Sequence, residues 1–163
     1  MLLSAVPFEQ IKSEVNADML KNGSIFGALS GESINYLLNQ GEIYRVETGD
    51  RIFEYGDKGE NFYIVCKGSI DFHKQYKGEC VHTRTAGFGE ELGFVAMIAL
   101  HDHTGFAEAS EDSVVLKISS LLFRALHKEY PFDFGIMSLN LARDMARTIR
   151  KLNDTLVENS ITY

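Results

Sequence analysis

Residues 49–72 read GDRIFEYGDKGENFYIVCKGSIDF. Two Gly-Asp pairs, Gly49–Asp50 and Gly56–Asp57, punctuate the stretch, and Gly59 and Gly68 follow. Gly-Asp marks a turn because glycine reaches positive φ freely and the aspartate carboxylate bonds nearby backbone N–H groups. Between these turns lie Ile52–Phe53, Phe62–Cys66, and Ile70 with Phe72. Each is short, apolar and rich in β-branched or aromatic residues, as strands are.

The same pattern continues outward. Ile43, Tyr44 and Val46 start a strand upstream, and Cys80–Arg84 and Ser113–Ile118 read as strands downstream. Nine of the 14 glycines fall between Gly41 and Gly93, while both prolines, Pro7 and Pro131, lie outside that region. Short strands at such spacing predict an antiparallel sandwich, roll or barrel over residues 41–118. Before it, residues 7–22 read as one helix through Ile11, Val15 and Leu20. Ser30 caps a second helix that runs through Asn39 and stops at Gly41. After Ile118 the period is helical again. Ser119 or Ser120 caps a short helix through Tyr130, and Pro131 opens a long one. Its stripe is Phe134, Met137, Leu141, Met145, Ile149, Leu152 and Leu156. The expected layout is one domain over 1–163: N-terminal helices in 1–40, strands in 41–118, a short helix in 119–130 and a long helix in 131–158.

Composition bounds the function. A chain of 163 residues that is 45% hydrophobic can bury a core, and its apolar runs are shorter than a membrane span. The net charge of −7 leaves no basic stripe for nucleic acid. Two cysteines, Cys66 and Cys80, cannot build a disulfide framework or a four-cysteine metal site, and both are expected as buried small hydrophobes. Met1 to Phe8 lacks a signal-peptide pattern, so a cytoplasmic setting is expected.

The 49–72 run resembles the cyclic-nucleotide-binding fold of bacterial catabolite activators, Crp/Fnr sensors and protein kinase A regulatory subunits. The family pattern G-D-x-I-F-x-x-G-D-x-G-x-x-F-Y-I-V-x-x-G is matched at essentially every position. Ile25-Phe26 with Leu29-Ser30 resembles the family's entry, and Phe123 with Tyr130-Pro131 its exit into the long helix. The resemblance covers about residues 18–158. It implies a mainly β fold: a double-stranded β-roll with flanking helices, a ligand pocket in the roll, and a long C-terminal helix that dimerises in relatives.

The resemblance also implies a phosphate-binding cassette, in which a Glu takes the ribose hydroxyl, a short helix presents N–H groups, and an Arg pairs with the phosphate. Here that stretch is GFGEELGFVAMIALHDHTGFAEAS, residues 87–110. Two registers fit. Phe88-Gly89-Glu90 supplies the F-G-E with Glu91 inserted, or Glu91-Leu92-Gly93 supplies the E-L-G with Glu90 at the glycine position. The second keeps the hydrophobic spacing. In both the arginine is missing: His103 stands in its place, followed by Thr104. No Lys or Arg occurs between Arg84 and Lys117. A neutral imidazole lacks the charge and bidentate geometry of a guanidinium, so tight cyclic AMP or cyclic GMP binding is not expected. The candidate ligand residues are Gly89, Glu90, Glu91, Leu92, Gly93, His103 and Thr104.

The expected function is a non-enzymatic sensor or regulatory domain. Ligand in the roll, a cyclic nucleotide or another small molecule, would signal through the C-terminal helix to a homodimer or a protein partner. Crp/Fnr regulators append a helix-turn-helix after that helix, and the length here leaves none, so DNA binding is not expected. Two alternatives stand beside this reading. His101-x-His103 with Glu108 resembles the metal motif of cupins, which would make a metal-dependent enzyme if both imidazoles shared a strand face. The roll could instead be empty and the chain an interaction module.

Overall fold

The computed structural model describes residues 3–161. Its elements in chain order are β1 (Ala5–Val6), α1 (Phe8–Ile11), α2 (Ala17–Leu20), α3 (Gly31–Gln40), β2 (Glu42–Val46), β3 (Arg51–Phe53), β4 (Asn61–Lys67), β5 (Ile70–Tyr76), β6 (Glu79–Ala86), β7 (Glu91–Leu92), α4 (Phe94–Ala99), β8 (Gly105–Ala109), β9 (Ser113–Ser119), α5 (Ser120–Glu129) and α6 (Pro131–Ile161). The strands form a five-stranded sheet, β1-β2-β9-β4-β7, and a four-stranded sheet, β3-β8-β5-β6. Every pairing is antiparallel. This is the β-roll with flanking helices that the sequence predicts.

Strand β4 shows why the roll forms. Its side chains alternate between two cores. Phe62, Ile64 and Cys66 face the helices with Ile25, Phe26, Leu37 and Leu126, whereas Tyr63 and Val65 face the space between the sheets with Phe53, Ile70 and Leu92. Strand β9 splits in the same way, with Leu116 and Ile118 in the first cluster and Val115 in the second. Both strands are buried on both faces, which is why their sequence is continuously apolar.

The turns use glycine for two different reasons. Gly56 sits at φ +85°, as the Gly56–Asp57 turn leads one to expect. Gly59 does not share that positive φ. A Cβ there would lie 2.2 Å from the His101 carbonyl oxygen, so close backbone approach excludes a side chain.

The segment 7–22 is not one helix. Asn16 takes an extended conformation and caps α2 by accepting the Met19 N–H at 3.1 Å, which breaks the helix after Ile11. Ile11, Val15 and Leu20 are still buried together. Strands β1, β7 and β8 carry too few large apolar residues to stand out in the sequence. Cys80, expected inside, is exposed, and only Cys66 is buried. Burial pushes the Cys66 thiol up to about 12, which keeps it an inert hydrophobe.

Helix α6 runs for 31 residues, somewhat beyond the expected 131–158. Its first turns are pinned. Asp133 accepts hydrogen bonds from Ser30 N–H at 2.9 Å and Ser30 Oγ at 2.8 Å, and Asn140 Nδ2 donates to the Ile25 and Gly27 carbonyls at 3.1 and 2.8 Å. Met137 and Leu141 are fully buried, and Met145 packs against the core edge. Beyond it Ile149, Leu152, Leu156 and Val157 are exposed.

Candidate ligand site between the roll and the long helix

The cassette residues meet at the start of α4. Gly93 occupies the helix N-cap at φ +93°, a left-handed conformation that glycine takes without strain. Glu91, just before it, is 2% exposed, and its carboxylate accepts the Phe94 N–H at 2.9 Å. The chain thus places its own anion on the first N–H of this short helix. Leu92 is buried between the sheets. Gly89 packs against Gly23, where a Cβ would lie 2.2 Å from the Gly23 Cα. Glu90 is half-buried and accepts the Gly87 N–H at 2.7 Å.

Arg84 on β6 faces Glu91. Its Nη1 donates to Glu91 Oε1 at 3.2 Å, and its Nη2 donates to Asp144 Oδ2 on α6 at 3.0 Å. Arg147 lies 3.9 Å from the other Asp144 oxygen. Burial raises the Glu91 pKa above the usual carboxylate range, and the Arg84 guanidinium works against that shift. One cation therefore ties the roll, the cassette and the long helix. Above it opens a cleft of about 390 Å³ between β6 and α6. Glu90, Thr83, Thr85, Thr148 and Leu152 line it with Arg84 and Asp144.

His103 lies on the far side of Gly93, whose added Cβ would meet His103 Cε1 at 3.1 Å. Its ring is 5% exposed and stacks on Phe53, with centroids 3.8 Å apart and planes 13° off parallel. Burial lowers its pKa, so the imidazole is neutral near pH 7. Thr104, its neighbour, accepts Lys74 Nζ at 2.6 Å and faces away into the β5–β8 edge. Because the folded ring's pKa is depressed below 6.5, the unfolded chain takes up the proton first. The stability His103 contributes is present above pH 6.5 and is lost as pH falls through the lowered value. Chemical denaturation at about pH 7.5 and 5.5 should show this loss in the unmodified chain and a smaller one in His103→Phe.

The cupin-like triad is not assembled. His101 and His103 lie in the loop before β8, not on a strand. His101 is exposed with its Nδ1 against the Asp102 carbonyl, His103 is buried on Phe53, and Glu108 is held by Arg51 at 3.1 Å. Among the described residues no group of three or more His, Cys, Asp or Glu is arranged to hold a metal. No helix among them is long and apolar enough to cross a membrane.

Sequence reasoning placed Glu90, Glu91 and His103 but missed Asp144. The signal was there: Asp144 follows Leu141 by three residues and precedes Met145, on the buried edge of the stripe. An acid at that position needs a cation from another element, and Arg84 supplies it.

A family model described as the cyclic nucleotide-binding domain matches residues 43–130. Over 155 residues the chain is 28% identical to the cAMP-dependent protein kinase regulatory subunit of Eremothecium gossypii, covering 91% of this chain and 32% of that one. The chain thus spans about a third of that relative's length. Among solved structures, a cyclic nucleotide-binding domain from Methylobacillus flagellatus superposes with a TM-score of 0.79 at 15% identity, covering 99% of this chain and 90% of that one. The regulatory subunit of a cAMP-independent protein kinase A from Trypanosoma cruzi, bound to guanosine, superposes with a TM-score of 0.69 at 16% identity, covering 94% of this chain and 52% of that one. Both structural likenesses bear on the fold, and the matched residues include the cassette and every strand from β2 to β9. The chain belongs to the cyclic nucleotide-binding domain family.

Proposed function

We propose that this chain is a non-enzymatic regulatory domain whose ligand enters the cleft between the roll and α6 and acts on the position of α6. The ligand class is an uncharged nucleoside rather than a cyclic nucleotide. One observation carries this: Arg84, the cation that reaches the cassette carboxylate Glu91, is already shared with Asp144. A phosphate at the cassette would face two carboxylates that already share this guanidinium, the neutral His103 adds no charge, and the other cations of the cleft, Arg147 and Lys151, stand on α6. A nucleoside has no such demand. Its ribose hydroxyls can donate to Glu90 or Asp144, and its base can meet Thr83, Thr85 and Thr148, all of which line the cleft. The guanosine in the Trypanosoma cruzi relative supports this class of ligand. Binding would compete for Asp144 and so shift α6, a two-state element biased by ligand. The exposed end of α6 would pass the shift to a second copy of the chain.

Calorimetry with guanosine and adenosine tests the reading. At least one nucleoside should bind more tightly than its own cyclic monophosphate, and hydrogen exchange should slow in 81–85 and 144–155. A cyclic monophosphate that binds more tightly than both nucleosides would overturn it.

A further inference from the structure

A second cavity, of about 620 Å³, opens at the opposite mouth of the roll, where β2, β3 and β4 leave a gap between the sheets. Its walls are aromatic: Tyr44 from β2, Phe53 from β3 and Tyr63 from β4. Phe53 separates it from the cassette side, since its ring stacks on His103 and also leans on Tyr63 with centroids 5.9 Å apart. The rim carries four carboxylates, Asp50, Glu54, Asp57 and Glu108, and one cation, Arg51. Arg51 is taken by Glu54 at 2.8 Å and Glu108 at 3.1 Å. Asp50 and Asp57 each use one oxygen to accept a backbone N–H, from Glu47 at 3.2 Å and Glu54 at 2.8 Å. Their remaining oxygens have no Lys, Arg or His nitrogen within 4.0 Å among the described residues.

Tyr63 points to a ligand on separate grounds. It is only 8% exposed, it lines the cavity, and its hydroxyl has no hydrogen-bond partner among the described residues. The hydroxyl is not sealed off from solvent, so it opens into the cavity with its donor and acceptor free for a ligand. The neighbouring Tyr44 differs, because its hydroxyl is satisfied by Glu42. Burial pushes the Tyr63 phenol up to about 12, with Glu42 and Asp57 adding to the shift, so it stays neutral and can accept as well as donate.

We infer that this cavity is a second binding site, for a small organic cation with a primary ammonium on an apolar body. The rings supply cation–π faces, the Tyr63 oxygen accepts an ammonium N–H, and the unpaired carboxylate oxygens supply the countercharge. An anion would meet four carboxylates and a single cation already paired to two of them. The volume falls in the range of small-molecule sites.

Phenethylamine is a suitable probe, with phenethyl alcohol as its neutral counterpart. Tyrosine-labelled NMR follows the seven tyrosines of the chain. Phenethylamine should shift the Tyr44 and Tyr63 ring signals saturably, and phenethyl alcohol should bind about tenfold more weakly or worse, the loss of one charge-assisted contact. Tyr63→Phe keeps the ring and removes only the unpaired oxygen, and it should weaken the amine several-fold. Asp57→Asn should do the same, and the unperturbed signals of both variants would show that they are folded. The inference is overturned if amine and alcohol bind alike, if the amine shifts other tyrosines but not these two, if no binding occurs, or if neither variant weakens it.

Discussion

Arg84→Ala should be the most damaging single change in the roll. It leaves Glu91, 2% exposed, and Asp144, 5% exposed, facing each other with no guanidinium between them. Removing one partner of a buried ion pair costs about 3–5 kcal/mol, because the remaining charge stays desolvated. In a domain of this size that lowers Tm by roughly 10 °C or more. The loss should depend on pH. The folded-state pKa of Glu91 is already raised by burial, and it rises further once Arg84 is gone. A carboxyl raised in the folded state gives stability that is present below the unfolded value and lost as pH rises through the folded one. The Arg84→Ala deficit should therefore be greatest near neutral pH and shrink as pH approaches the unfolded carboxylate range. Thermal scans of both proteins across that range check this. A Tm change within a degree or two at neutral pH would show that the bridge does not hold α6 to the roll.

The second large effect concerns assembly. The α6 helix spans about 46 Å at 1.5 Å per residue, and its pinned part ends near Met145. Past that point Ile149, Leu152 and Leu156 are 59, 48 and 65% exposed, on one stripe with steps of three and four. Burying each is worth about 1.5–3 kcal/mol at full burial, so a twofold partner presenting the same stripe would be favoured. Light scattering at tens of micromolar should give about twice the 18.3 kDa of the chain. Ile149→Glu with Leu152→Glu should give a folded monomer, because four like charges would meet in one seam. A monomeric mass for the unmodified chain sinks this assembly. A dimer that survives the double change places the interface elsewhere.

The roll was legible because short apolar runs lie between Gly-Asp turns, and the matched run 49–72 covers β3, β4 and the start of β5. The capping serines were legible for the same reason: Ser30 and Ser119 both accept N–H bonds from the third helical residue after them. What escaped depends on partners far away in sequence. Strand β7 is two residues long and exists because Tyr63 and Ile64 pair with Leu92 and Glu91. The bridge joins residues 84, 91 and 144, and no local pattern reports a contact that spans 60 residues. The proposed metal triad failed for a related reason: spacing alone put His101 and His103 on a strand that begins only at Gly105. The second cavity is likewise a product of where two sheets part, and Tyr63 reads in the sequence as one more core aromatic.

The proposal that the cassette does not hold a cyclic phosphate rests on Glu91 at the α4 N–H, Arg84 shared by two carboxylates and a neutral His103. Calorimetric titration with cyclic AMP at about pH 7.5 tests it most directly, alongside His103→Arg, which puts a permanent bidentate cation beside Gly93. Binding should be no tighter than the high-micromolar range for the unmodified chain, with a gain of about tenfold or more in His103→Arg, the scale of one charge-assisted contact. Sub-micromolar binding by the unmodified chain would contradict it.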